Sequence, residues 1–392
     1  MNYMFVYRNI VVGGCEFLIE KLGREVLKNE KNNIIIYFET IDEIMYSRFS
    51  KNGFCLKQVK EDFYKFEFQN INIITFTLKD YIFFSCNELN NVKTVLYVVH
   101  PYIFNIATKR NFILKLFSRR LLKTFILKAI KNKCIFFMDK ETVQSNLKYF
   151  SIKNVVDDAM IVNLPIDLVE NKEEVLNKRA KTKNYIKILS IARAEFPFKG
   201  YLMGLVDFLS KNDKENIMLT IISYGKGFNI LKQKIESLPI NIKQKIKLYG
   251  KTDYDKLNEY FNDSNLYIGM GTTVLDAAIR GVITIPIKAY TYELIADKFF
   301  HEMFSDESHN KIKNRTFQDL FNEFIRIKNS DYLTLSYKNI KIVNENFSTV
   351  VITKKILENF KNVPFNDKNI KISILLAFYK IKNKLDSVKK QF

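Results

Sequence analysis

The segment GMGTTVLDAAIRG, Gly269 to Gly281, sets glycines, two hydroxyls and a carboxylate where the pattern predicts a strand running into a helix. A helix N-terminus leaves N–H groups unpaired and carries about half a positive charge, so such a junction suits a phosphate. Gly269 and Gly271 let the backbone approach closely, and Thr272 and Thr273 add hydroxyl donors. Upstream, ARAEFPFKG puts Arg193 and Lys199 just past the predicted carboxyl end of a strand, where parallel α/β sheets bind ligands. Two fixed cations facing the same oxygens would neutralise a departing diphosphate without a metal. Between these elements lie SYGKG, a turn with Gly225 and Gly227, and LYGKTDYDKL, a turn at Gly250 followed by a helix. Alone, a Gly-Thr-Thr at a helix start is an ordinary cap and a single Arg or Lys is ordinarily solvated. The four in this order are far more specific.

The elements that must position these residues are short apolar runs alternating with segments of helical length. In the first half they are MFVYRNIVVG, NNIIIYFE, INIITFT and KTVLYVVH, with the helix-like CEFLIEKLGREVLKN after the first. In the second half they are IKILSIA, IMLTIISYG, KIKLYG, NLYIGM and VITIPI. Continuous apolar strands with intervening helices predict parallel sheets covered on both faces. The strand-like AMIVNLPID, 159–167, closes the first series, and the charged LVENKEEVLNKRAKTKNY leads to the second. The expected architecture is α/β: two doubly wound, Rossmann-like domains facing a cleft at the carboxyl ends of their strands. They span 1–170 and 185–345, joined by a linker over 171–184.

A chain of 392 residues exceeds one ordinary core. Its composition, 47% hydrophobic and 27% charged, is that of a globular protein. Cys15, Cys55, Cys86 and Cys134 lie far apart without a CxxC pair, and with only His100, His301 and His309 no zinc-like cluster can be drawn. The cysteines read as buried, reduced thiols. No apolar run approaches the roughly 20 residues that span a bilayer, so the expected location is the cytoplasm or the membrane periphery. A formal charge of +20 implies an anionic partner: nucleic acid, anionic lipid or a phosphorylated substrate.

The series ARAEFPFKG, SYGKG, LYGKTDYDKL, GMGTTVLDAAIRG resembles the donor-binding domain of GT-B glycosyltransferases, specifically the large retaining, family 4-like group that also makes bacterial surface polysaccharides. VGGCEFLIEKLGREV resembles that group's Gly-Gly-x-Glu loop and first helix, VLYVVHP its strand ending in a cleft histidine, and IVNLPID its inter-domain strand. The resemblance implies that Arg193 and Lys199 hold the diphosphate of a nucleotide-sugar and that Gly13 and Gly14 pass close to it. It implies that Gly225 lies in the donor site, that Tyr249 and Gly250 border the base, and that Gly271, Thr272 and Thr273 meet phosphate. Asp276 matches a glutamate that binds ribose hydroxyls. The family often carries a second glutamate eight positions earlier, where this chain has Ile268. A retaining enzyme of this group needs no separate base, because the leaving phosphate takes the proton; an inverting one does, and His100, Asp139 and Glu16 are the candidates. Glu195 is a weaker candidate for a substrate contact, and His301 and His309, in the polar HEMFSDESHN, read as surface residues. The resemblance implies no cofactor beyond the donor substrate, and a closing helical segment, 346–392, that crosses back to the first domain.

Much of the charge sits in 104–133, which holds nine Lys or Arg and no acid. Leu114, Phe117, Leu121 and Phe125 fall on one helical face and Lys115, Arg119 and Lys123 on another. Together with the basic, apolar C-terminal segment this suits an anionic membrane surface, as an enzyme extending a lipid-linked glycan needs. The expected acceptor is therefore a lipid-linked glycan or polysaccharide, as in O-antigen or capsule synthesis. An epimerase of the same fold would need several acid/base side chains around the sugar. A basic nucleic-acid-binding protein would leave the phosphate-site order unexplained, and no binding motif for it is present.

Overall fold

A computed structural model describes residues 1–59, 70–86, 91–105, 112–153, 156–182, 185–212, 216–304 and 315–366, excluding the side chains of 86 and 112–121. The chain forms two compact units, one from 1–165 with the chain after Ser348, the other from 166–348.

In the first unit, β1 (Asn2–Val6), β3 (Asn33–Phe38), β5 (Cys55–Gln58), β6 (Ile71–Thr75), β7 (Val92–Val98) and β8 (Ile135–Phe137) form one sheet. Its order is β5-β3-β1-β6-β7-β8, every pairing parallel. A second small ladder joins β2 (Asn9–Ile10) to β4 (Thr40–Ile41). Central strands such as INIIT are buried at every position, as sheets covered on both faces require. The edge strand CLKQ reads as polar because one side of it meets solvent. Cys55 on this strand is exposed, and Cys15 is half-buried, so of the described thiols only Cys134 is buried as expected. The run AMIVNLPID is not a regular strand: it holds a 3₁₀ turn at Asp158–Met160 and isolated bridges at Ile161 and Ile166. Pro165, which lacks an N–H, helps explain why no ladder continues there.

The helix Thr349–Asn362 packs its Ile352, Ile356 and Phe360 into the first unit's core. Lys93 donates to the Phe360 carbonyl at its end (2.8 Å). In the basic segment, the helix Phe112–Lys131 is anchored by Leu122, Ile126, Ala129 and Ile130, with Phe125 partly buried beside them. The side chains of Leu114, Lys115, Phe117, Arg119 and Leu121 lie outside the described residues.

The second unit holds β9 (Ile186–Arg193), β10 (Ile217–Tyr224), β11 (Ile246–Tyr249), β12 (Leu266–Gly269) and β13 (Ile283–Pro286) in the order β11-β10-β9-β12-β13, again all parallel. The stretch 171–184 belongs to this unit rather than standing between two. Its helix Glu173–Lys181 buries Leu176 and Ala180, and also Arg179, which donates to the carbonyls of Phe261 (2.9 Å) and Arg280. Those carbonyls end the helices Leu257–Asp263 and Thr272–Ile279, so one guanidinium serves two negative helix termini. Among the described residues no helix is long and apolar enough to cross a membrane.

Candidate active site

In both sheets the order of strand addition reverses beside the first strand, and in the second unit this switch point lies between β9 and β12. The crevice outside the carboxyl ends of strands at such a point is where doubly wound sheets bind ligands. Arg193 is the last residue of β9, and Gly269 the last of β12. The connection from β12 to its helix is two residues, Met270 and Gly271, so the helix Thr272–Ile279 starts directly at the strand end. Gly271 adopts φ +76°, which glycine reaches without strain.

Arg193 is exposed, its Nε 2.8 Å from the Glu195 carboxylate. The SYGKG turn shapes its setting. Gly225 has φ +102°, and a Cβ there would lie 2.9 Å from the Arg193 Cγ. Gly227 donates to the Ala194 carbonyl (2.9 Å), and a Cβ on it would strike the Phe196 ring at 2.6 Å. Both glycines therefore make room for the Arg193–Lys199 turn. Lys199 is half-buried with its ammonium 5.0 Å from the Phe198 ring centre. Burial pushes its pKa down to about 8, with Arg193 adding to the fall and Glu195 opposing it. The loop after β13 braces the turn: Phe196 meets Tyr292, Phe198 meets Tyr290, and Gly200 has no space for a side chain beneath the Thr291 carbonyl.

The two threonines differ. The Thr273 hydroxyl accepts from the Tyr267 phenol (2.6 Å) and reaches the Ile191 carbonyl (3.3 Å), tying β12, β9 and the helix together. Its side chain is thus a structural clasp, and only its backbone N–H is available in the first helical turn. Thr272 is half-exposed, and no side-chain partner for it is present among the described residues. Asp276 lies one turn further in, 3% exposed. Its Oδ1 accepts from the Tyr254 phenol (2.6 Å) and lies 3.7 Å from Arg280 Nη1. Nothing in the KTDYDKL segment signals this role for Tyr254, because its partner lies 22 positions away, which no local pattern reveals. Tyr249 and Gly250 are exposed at the end of β11, Tyr249 edge-on to Tyr260 at 5.2 Å.

Ile268 is an interior strand position, fully buried in the core with Leu266 and Ile285. Counting eight residues back from Asp276 lands inside β12 because the following loop is so short. A side chain at this position faces the apolar core.

In the first unit, Gly13 is the N-cap of the helix Gly14–Leu27, whose buried Glu16 accepts from the Val11 N–H (3.3 Å). A side chain at Gly13 would press on that carboxylate, whereas the space around Gly14 is open. Glu16 therefore has a structural post. So has Asp139, which caps the helix Lys140–Tyr149 by accepting from the Thr142 N–H (2.6 Å). His100 follows β7, half-buried, with its pKa lowered by burial. Its Nδ1 accepts from the Tyr102 N–H (3.1 Å), so the neutral ring carries its proton on Nε2. That tautomer donates a hydrogen bond and is poorly placed to act as a base. His301 is 6% exposed and stacked on Phe299, with its pKa pushed down to about 4 by burial; it is not a surface residue. His309 lies outside the described residues. No three potential metal ligands converge among the described residues.

Two parallel doubly wound units with a helix returning to the first are the GT-B fold of glycosyltransferases, and solved structures agree. Anabaena Alr3699/HepE in complex with UDP and glucose matches at TM-score 0.64 and 12% identity, over 92% of this chain and 99% of that one. A glycosyltransferase from Rickettsia africae matches at 0.62 and 15%, over 93% and 99%. WaaG, a glycosyltransferase involved in lipopolysaccharide biosynthesis, matches at 0.52 and 13%, over 91% and 99%. No family model matches the sequence, and no curated protein does.

Proposed function

We propose that this protein transfers a sugar from a nucleotide-diphosphate donor to a lipid-linked or polysaccharide acceptor in bacterial surface glycan synthesis. The observation that carries this reading is the meeting, at one sheet switch point, of Arg193, the Lys199 turn and the helix start at Thr272, with the Asp276 carboxylate one turn away. That array offers cations and N–H groups to a diphosphate and a carboxylate to sugar hydroxyls. The solved neighbours are consistent with it, one holding UDP and glucose.

In the reaction the acceptor oxygen attacks the anomeric carbon, the bond from that carbon to the β-phosphate oxygen breaks, and the acceptor proton passes to the leaving phosphate. Charge develops on the departing diphosphate, and Arg193, Lys199 and the helix N-terminus stabilise it where it grows. Retention and metal-independent turnover are part of the proposal, as is the placing of Tyr249 and Gly250 at the base. The roles of Gly13, Gly14 and His100 rest on the family resemblance alone. The basic segment 104–133 supports docking at an anionic membrane; neutralising Lys115, Arg119 and Lys123 together should weaken flotation with anionic vesicles, and unchanged flotation removes that element. The transfer reading is tested by incubating the protein with nucleotide-sugars and lipid-linked glycans. It requires acceptor-dependent release of a nucleoside diphosphate; a panel spanning the common donors that yields none counts against it.

A further inference from the structure

Asp276 is held where it is from two sides. Arg280 approaches Oδ1 at 3.7 Å and is itself fixed by Asn258 (2.8 Å) and by the Asp276 carbonyl (2.8 Å). The other side is the Tyr254 phenol, 2.6 Å from the same Oδ1. Tyr254 opens the 3₁₀ turn Tyr254–Lys256, none of whose residues is buried, and the preceding Lys251 and Asp253 are exposed. Asp255 and Lys256 are exposed, and Tyr254 is the one member of the turn that points inward. A phenol and a ribose hydroxyl present the same kind of donor to a carboxylate, and Oδ1 already meets both the Tyr254 phenol and Arg280.

We propose, on the strength of the donor-site reading above, that Tyr254 is an intramolecular competitor for the donor's ribose: its phenol takes the Asp276 oxygen that a ribose hydroxyl needs. The donor binds by exchange, one hydroxyl for another, with the 254–256 turn moving aside. Arg280 and Asn258 hold the carboxylate in place while its partner changes. Tyr254 thereby sets how tightly the nucleoside is held and makes donor affinity weaker than the bare site would allow.

The test is calorimetric titration of the common ribonucleoside diphosphates into wild-type protein, Tyr254→Phe, Asp276→Asn and the double variant. The diphosphate that wild type binds best should bind Tyr254→Phe about tenfold more tightly, the effect of removing one competing charge-assisted hydrogen bond. Asp276→Asn should bind it more weakly, and adding Tyr254→Phe to that variant should bring little further gain. Tyr254→Leu, which also lacks the hydroxyl, should gain in the same sense as Tyr254→Phe. A residue with only a structural role would instead lose affinity together with thermal stability. Equal or weaker binding by both Tyr254 variants overturns the exchange while leaving the donor site standing. Wild-type protein that binds no nucleoside diphosphate overturns the donor reading and the exchange with it.

Discussion

Replacing Lys199 by methionine should move stability and ligand affinity in opposite directions. A lysine whose pKa falls from 10.5 to about 8 on folding has its charged form disfavoured in the native state. Each tenfold displacement of the proton equilibrium is about 1.4 kcal/mol, and the half-buried position leaves solvent to screen part of it. A net penalty of about 1–2 kcal/mol is reasonable. The sign follows from proton counting. Between pH 8 and 10.5 the unfolded chain binds more protons than the folded one, so wild-type stability gains from this group as pH rises through that window. Below pH 8 the full penalty stands, and methionine of similar length removes it. Urea unfolding at pH 7 should therefore find Lys199→Met more stable by about 1–2 kcal/mol, the difference shrinking above pH 8. Affinity for a diphosphate should drop in the same variant. Wild-type affinity should itself decline as pH climbs through about 8, since about nine-tenths of Lys199 is charged at pH 7 and about one-tenth at pH 9. A variant that is less stable at pH 7, or that binds diphosphate as wild type does, refutes the assignment of Lys199 as a strained, ligand-directed cation.

Arg179→Met should cost about 2–4 kcal/mol in urea unfolding, because buried helix-end carbonyls at Phe261 and Arg280 lose their donor while the relief of removing a buried charge offsets only part; a loss below about 0.5 kcal/mol would mean water replaces it. Ile268→Glu should abolish folding or lower the thermal midpoint sharply, since it places a carboxylate in the apolar core. A well-folded variant with a near-wild-type midpoint would show that this position reaches solvent and reopen it as a sugar contact.

The strands of the second unit were legible almost residue by residue, because β-branched apolar runs such as IKILSIA and IMLTIIS have no other stable use than a sheet buried on both faces. The strand-to-helix junctions were legible for a related reason: glycine beside a strand end marks backbone that must turn without a side chain, and φ is +102° at Gly225 and +76° at Gly271. What escaped were partners distant in sequence. Thr272 and Thr273 look equivalent in a string, yet one faces outward while the other is clasped by Tyr267 and the Ile191 carbonyl. Asp276 reads as a free carboxylate until folding brings Tyr254 to it. His301 sits among polar residues in the chain but stacks on Phe299 in the interior. Ile268 lies in the run NLYIGM, and only two residues separate β12 from the next helix, so the eighth position before Asp276 falls within the strand.

We propose above all that the β9–β12 switch point of the second unit is a nucleotide-diphosphate site with Arg193 at its mouth. Calorimetric titration of nucleoside diphosphates into wild type and Arg193→Ala tests it most directly. Saturable one-to-one binding to wild type, weakened at least about tenfold in Arg193→Ala while the fold is unchanged, is the predicted result. Binding that is indifferent to Arg193 contradicts it.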